Sequence, residues 1–312
     1  MQYSAPAFGG AASAGAATAS TTKIIVIVVI VSVVSIAVFL GVVAIALGVG
    51  LGVGLRKSHS VTTPLSIPSL TCDSTSTCGC PSVTPAPSTR IINGNTATAN
   101  SWPWMVYLTF LNGKVCSGFI ISQRHVITAS SCIKNNGLNI TVYIGSIAYQ
   151  SGAGGLNITS ANYTTDNFDS IAIITLGINI TSTQYPSIKP CCLSSDLTEP
   201  YVGEHGVIAG WGETQTTTLG SPAMTLQQAV VSINPQSTCS LSTSDTNEFC
   251  GSYNSINACP ADAGGPFMTV YNNAWTCTGI ITGQSSCQNP IKFTRIAAYA
   301  AFIRNVTSVI FL

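Results

Sequence analysis

Twelve cysteines, all between Cys72 and Cys287, limit what this chain of 312 residues can become more than any other feature. Their number is even, and no C-x2-C pair is followed by the matching Cys or His pair that a zinc site needs. Disulfides are the reading that remains. Thiols at this density stay reduced in cytosol, so everything from Cys72 onward is expected in an oxidising compartment, with no metal site and no cofactor.

The route to that compartment is written upstream. From Ile24 to Leu55 run 32 residues without a charge, rich in Val and Ile, bracketed by Lys23 and by Arg56 and Lys57. About 20 residues cross the roughly 30 Å hydrocarbon layer, so residues 24–55 are expected to form one transmembrane helix, long enough to tilt or to extend past the bilayer. A cleaved signal peptide has an apolar region of only about 7 to 15 residues. The positive-inside count favours the C-terminal flank in the cytosol by two charges to one, against the cysteines. The cysteines outweigh it, because large domains are translocated largely regardless of charge. The expectation is a single-pass type II protein of the cell membrane, with a disordered cytosolic tail at 1–23 and an external body.

Composition sorts the rest. Residues 56–90 hold 15 Ser or Thr, five Pro and three Cys (Cys72, Cys78, Cys80), with no alternating or helical apolar pattern. This suits an extended stalk and propeptide that carries O-linked sugars and holds a domain away from the bilayer. From Ile91, short Val, Ile, Thr and Tyr runs are broken by Gly, Asn and Pro at roughly ten-residue intervals, with a helix expected only at Ile296–Val309. The pattern implies an all-β barrel or sandwich. Charged residues are 7% of the chain, against roughly 25% in ordinary domains, and the net charge is +1. No Lys/Arg cluster exists to neutralise phosphates, which removes nucleic acid as a partner.

Six landmarks then follow in order: Arg90-Ile-Ile-Asn-Gly94, Trp102-Pro-Trp-Met-Val-Tyr-Leu108, the CSGFIISQRHVITASSC stretch from Cys116 to Cys132, Gly210-Trp-Gly212, Cys259-Pro-Ala-Asp-Ala-Gly-Gly-Pro266, and Tyr299-Ala-Ala-Phe-Ile303. Each is weak alone. Together, over residues 91–312, they resemble the trypsin and chymotrypsin-like serine protease family. The resemblance implies two six-stranded antiparallel β-barrels with a C-terminal helix, and a serine-type endopeptidase site built from Ser, His and Asp.

Those three positions can be located, and all are substituted. The family's His slot, just before the second Cys of the first disulfide, holds Ser131. Its Asp slot, before Ile171-Ala-Ile-Ile-Thr-Leu176, holds Ser170, with Asp169 one residue early and expected to face the other side of the strand. Its nucleophile slot holds Ala263, and Ala261 replaces the glycine whose N–H helps form the oxyanion hole. No histidine offers rescue: His59 lies in the stalk, His125 is six residues ahead of Ser131, and His205 precedes Gly210. The resemblance also puts Asn257 at the base of the specificity pocket and Ile291 at a wall position usually held by glycine, where it would narrow or fill the pocket.

Arg90, Ile91 and Asp262 are retained. In the family, cleavage after the Arg frees an amino terminus that pairs with the Asp beside the nucleophile and orders the surrounding loops. A buried ammonium and carboxylate tolerate burial only as a pair, so these residues imply either a two-state switch worked by proteolysis or inheritance without use.

The resemblance further implies the bonds Cys116–Cys132, Cys239–Cys250 and Cys259–Cys287, and marks one family pair as lost at both ends, where Gly206 and Thr269 stand. Of Cys72, Cys78, Cys80, Cys191, Cys192 and Cys277, one of the adjacent pair Cys191 and Cys192 is expected to join the stalk and the other Cys277; the choice stays open. Asn139, Asn157, Asn162, Asn179 and Asn305 each begin an N-x-Thr glycosylation sequon, although about four matches to N-x-Ser or N-x-Thr are expected by chance. Three readings follow. The first is a non-catalytic surface homologue that binds a protease, an inhibitor or a peptide in the former substrate groove. The others are an active endopeptidase and a structural or adhesive surface glycoprotein.

Overall fold

The computed structural model describes residues 70, 72, 76–87, 94–134, 139–149, 155–168, 170–214, 221–252, 256–282, 287 and 289–312. The apolar run 24–55, the tail 1–23, His59, Arg90, Ile91 and Asp169 lie outside them.

After the two-residue strand β1 (Asn95–Thr96) come β2 (Met105–Phe110), β3 (Val115–Ile120), β4 (His125–Ala129), β5 (Ile140–Ile144), β6 (Leu156–Thr165) and β7 (Ile171–Leu176). They pair antiparallel in the order β2-β3-β4-β7-β6-β5, and the sheet closes because β2 also pairs with β5, from Val106 opposite Ile144 to Phe110 opposite Ile140. The next two-residue strand, β8 (Cys192–Leu193), precedes β9 (His205–Gly210), β10 (Gln227–Asn234), β11 (Glu248–Ser252), β12 (Pro266–Tyr271), β13 (Ala274–Ile281) and β14 (Ile291–Arg295). These six run β10-β11-β14-β13-β12-β9, and β9 pairs back onto β10, so a second six-stranded barrel closes. Strand β1 extends β10, and β8 joins β13 in parallel. The two barrels expected from the resemblance are present. The helix expected at Ile296–Val309 is a 3-10 turn, Ile296–Tyr299, that runs into an α-helix, Ala300–Thr307.

Burial follows the strand patterns. Strand β13, AWTCTGII, is buried at all eight positions, as a near-continuous apolar run predicts for a strand covered on both faces. Strand β6, LNITSANYTT, mixes polar and apolar residues and leaves Asn157 and Asn162 in water. A closed barrel also removes the exposed edges on which open sheets associate. The second barrel is filled around Phe249, Phe267 and Phe293, whose ring centroids lie 5.0–5.5 Å apart. Gly206 sits beneath the Phe267 ring, where a Cβ would collide with it, so a bare backbone here serves aromatic packing. The Thr269 hydroxyl is buried with no hydrogen-bond partner among the described residues.

Six disulfides are present: Cys72–Cys80, Cys78–Cys192, Cys116–Cys132, Cys191–Cys277, Cys239–Cys250 and Cys259–Cys287. Cys192 thus takes the stalk and Cys191 takes β13. The stalk assignment needs one correction. Residues 76–87 lie on the body rather than standing off it: Gly79 N–H donates to Pro190 O, Trp275 N–H donates to Gly79 O, and Cys80 is 2% exposed.

Candidate functional site

Ser131, Ser170 and Ala263, the positions singled out from sequence, converge through backbone pairing. Strand β4 pairs with β7, Ala129 opposite Ile171, and at the end of that ladder Ser130 N–H donates to Ser170 O at 3.4 Å. The chain then turns into a four-residue helix, Ser130–Ile133, that leaves Ser131 exposed and buries Cys132 in its bond to Cys116 of β3. One residue further along β3, Ser117 N–H donates to Ala263 O at 2.9 Å, and the Ser117 hydroxyl donates to Ala261 O at 2.9 Å. Ser131, Ser170 and Ala263 are therefore held around one point where the two barrels meet.

The side chains and backbone groups at that point can be described one by one. Ala263 offers a methyl, 4% exposed. Its N–H donates to Pro260 O at 3.2 Å, and Asp262 N–H donates to Cys259 O at 2.9 Å, closing the 3-10 turn Pro260–Asp262. An N–H engaged in such a turn is not directed at a developing oxyanion. Ser170 lies beside the hydroxyl of Tyr299, whose pKa burial pushes up while the contact with Ser170 pulls it down. His125 bonds Ser122 at 2.9 Å and His205 bonds Ser232 at 2.7 Å, so both described histidines are engaged elsewhere.

Two residues at the site were not singled out from sequence. Lys114 donates its Nζ to Ser131 O, and partial burial lowers its pKa. Its only sequence signal is a cation two residues before Cys116. Asp166 accepts the N–H groups of Phe168, Ser170 and Ile171 at 2.7–2.9 Å and is 7% exposed. It shapes the loop that carries Ser170. An Asp followed within four residues by Asn167, Asp169 and Ser170 just before a strand is the sign that could have marked it.

The retained Asp262 stands in a different setting. Its carboxylate accepts Gly212 N–H at 2.7 Å and Cys259 N–H at 2.9 Å, and lies so close to Gly210 and Gly212 that a Cβ on either would overlap it. The glycines of Gly210-Trp-Gly212 are therefore required by the carboxylate. Burial pushes the Asp262 pKa up to about 6, against the pull of the two N–H donors. A small cleft, partly open to solvent, reaches this carboxylate between Ile208, Ile256, Ile281, Gln228 and Asn257.

The pair assigned to the specificity pocket divides. Ile291 is fully buried in the core of the second barrel with Ile256, Ala258, Ile281 and Phe293, so its side chain fills space that glycine would leave open. Asn257 is exposed, between buried Ile256 and Ala258, and faces the cleft instead of forming the floor of a buried pocket. The alternation of side chains along 256–258 is the reason. All five sequon asparagines, Asn139, Asn157, Asn162, Asn179 and Asn305, are exposed, four of them on the first barrel or its loops.

Residues 91–303 match the family model described as Trypsin. Among curated relatives, bovine chymotrypsin-C is 30% identical over 256 residues, covering 73% of this chain and 92% of its own. Mouse chymotrypsin-C is 29% identical over 265 residues, covering 73% and 93%. Rat chymotrypsin-C is 30% identical over 271 residues, covering 73% and 92%.

Proposed function

The chain belongs to the trypsin family, and from that premise we propose that it is a non-catalytic member, anchored in the cell membrane through residues 24–55, that acts by binding. Ala263 carries this reading. A methyl cannot attack a carbonyl, and loss of the nucleophile alone costs about 10⁶-fold in comparable enzymes, about 8 kcal/mol of barrier. Ser131 in place of the base, Ser170 in place of its partner, the engaged Ala263 N–H and the filled space at Ile291 all point the same way.

The partner on this reading is a protein or peptide, a protease or an inhibitor of one, that lies along the former substrate groove without a side-chain pocket to enter. Cleavage after Arg90 is the switch. The freed ammonium would meet Asp262, whose carboxylate is enclosed without a charged partner among the described residues and held by two N–H groups. The Cys78–Cys192 bond would keep the cut body attached to the stalk and so to the membrane.

The similarity to chymotrypsin-C favours a second reading, a serine-type endopeptidase. One experiment separates the two. The full chain, with and without cleavage after Arg90, is exposed to a fluorophosphonate probe and to chromogenic peptides. We expect neither labelling nor turnover in either state, with partners captured only after cleavage. Stoichiometric labelling that survives purification would establish the endopeptidase, and capture in neither state would leave a structural or adhesive glycoprotein.

A further inference from the structure

The cysteine-rich segment ahead of the barrels is a shaped part of the fold. Along residues 81–87, exposure alternates: Pro81, Val83, Pro85 and Pro87 are half-buried, while Ser82, Thr84 and Ala86 face water. That is the period of an extended chain lying with one side on a surface. Its upstream end is threaded between two elements by the Gly79 backbone, which donates to Pro190 O and accepts from Trp275 N–H, each at 2.9 Å. Gly79 has φ +70°, and a Cβ there would collide with Trp275 O and the Cys192 sulfur, so close approach and left-handed geometry both demand glycine.

The downstream end meets Gln228, which is 1% exposed. The amide uses both of its ends: Oε1 accepts Trp102 Nε1–H at 2.7 Å, and Nε2 donates to Ala86 O at 3.1 Å. Asn95, whose backbone pairs with Gln228 in the β1–β10 ladder, adds its own side-chain donor to Ala86 O at 3.3 Å. Lifting the segment would break the bond from Gln228 Nε2 to Ala86 O and that from Asn95 to the same oxygen.

We infer that residues 76–87 are a strap with its own seat on the body, locked by Gln228, and that this seat holds the strap without the Cys78–Cys192 bond. Ala86 and Asn95 then remain pinned to the same residue, Gln228, whether or not the chain between them is cut. A chain cleaved after Arg90 stays one particle under reducing conditions, so reduction alone does not release the body from its stalk. This holds for a catalytic and a non-catalytic protein alike.

The test is amide hydrogen exchange on the full chain in detergent, following Gly79 and Trp275, with the β2–β5 ladder as an internal reference. In the Cys78→Ser/Cys192→Ser variant, strap exchange should rise by less than about tenfold over the parent. Adding Gln228→Met should raise it by a further hundredfold or more, with the β2–β5 amides unchanged. Free exchange of the strap in the cysteine variant alone would overturn the proposal, as would a Gln228→Met effect below twofold. Should Gln228→Met unfold the body, Val83→Ser in the cysteine variant decides the matter, because it alters only the strap's side of the contact. There the expected rise is at least tenfold, and no change would overturn the seat.

Discussion

Ala263 and Asp262 are neighbours in the chain and opposite in what surrounds them. Around Ala263 stand a methyl, exposed Ser131, Ser170 beside Tyr299, and an N–H closed into a turn, which on the proposed reading replace what hydrolysis needs. Around Asp262 each feature that holds a carboxylate is in place, from the glycines that make room for it to the two N–H donors and the open cleft. The contrast shows that the machinery for ordering a loop and the machinery for chemistry are separable even across one peptide bond. The first depends on backbone donors and the absence of side chains at Gly210 and Gly212, the second on three particular side chains.

The comparison breaks most visibly if chemistry returns too easily. Ala263→Ser restores a hydroxyl without a base, so hydrolysis of chromogenic peptides should stay at background, leaving the deficit of about 10⁶-fold in place. Turnover within about a thousandfold of an ordinary serine protease would show that some other group takes the proton, and would undo the reading of Ser131.

A smaller effect tests whether the filled pocket is part of the core. Ile291→Ala removes buried methyl groups from the packing around Phe249, Phe267 and Phe293 and should cost about 2–5 kcal/mol in urea unfolding. A cost under about 1 kcal/mol would mean that the side chain borders open space, and that a pocket can form there.

The third effect is smaller still and lies on the Asp262 side. Its folded pKa stands above the ordinary carboxylate value, so the folded uncut chain holds the proton more tightly than the unfolded chain does. The uncut protein therefore gains stability as pH falls from about 6 toward 4 and loses it as pH rises through that window, by at most about 3 kcal/mol. Cleavage after Arg90 supplies an ammonium that keeps the carboxylate ionised and should remove this dependence between pH 4 and 6, and the difference between cut and uncut chain should be absent in Asp262→Ala. Thermal melts of cut and uncut chain across pH 4–8 measure this, and identical profiles would remove the switch.

Much of the site was legible before folding because it rests on identities at motif positions. Ser131, Ser170 and Ala263 are named by what flanks them, and no packing detail can give an alanine a nucleophile. Asn257 and Ile291 were less legible, since which side of a segment faces inward depends on local register, and the 256–258 alternation turned Asn257 outward. Lys114 and Asp166 were missed because their roles are contacts with backbone atoms of residues 17 and up to 5 positions away, and nothing in their spacing announces those contacts. The stalk was misjudged at residues 76–87 for a related reason. The alternation of Pro81, Val83, Pro85 and Pro87 is short and proline-rich, and it becomes a buried face only once Pro190, Trp275 and Gln228 are brought together.

By itself, then, the sequence determined the disulfide-bonded body, the two-barrel family and the methyl side chain at position 263, because cysteine number, ordered motifs and side-chain chemistry survive without coordinates. Only the tertiary structure decided that Cys192 rather than Cys191 takes the stalk, that Ile291 lies in the core, and that Gln228 joins Trp102 to Ala86 across 126 and 142 residues of chain. Each of those is a contact between distant segments, and which distant segments meet is settled by barrel closure and packing rather than by any local pattern.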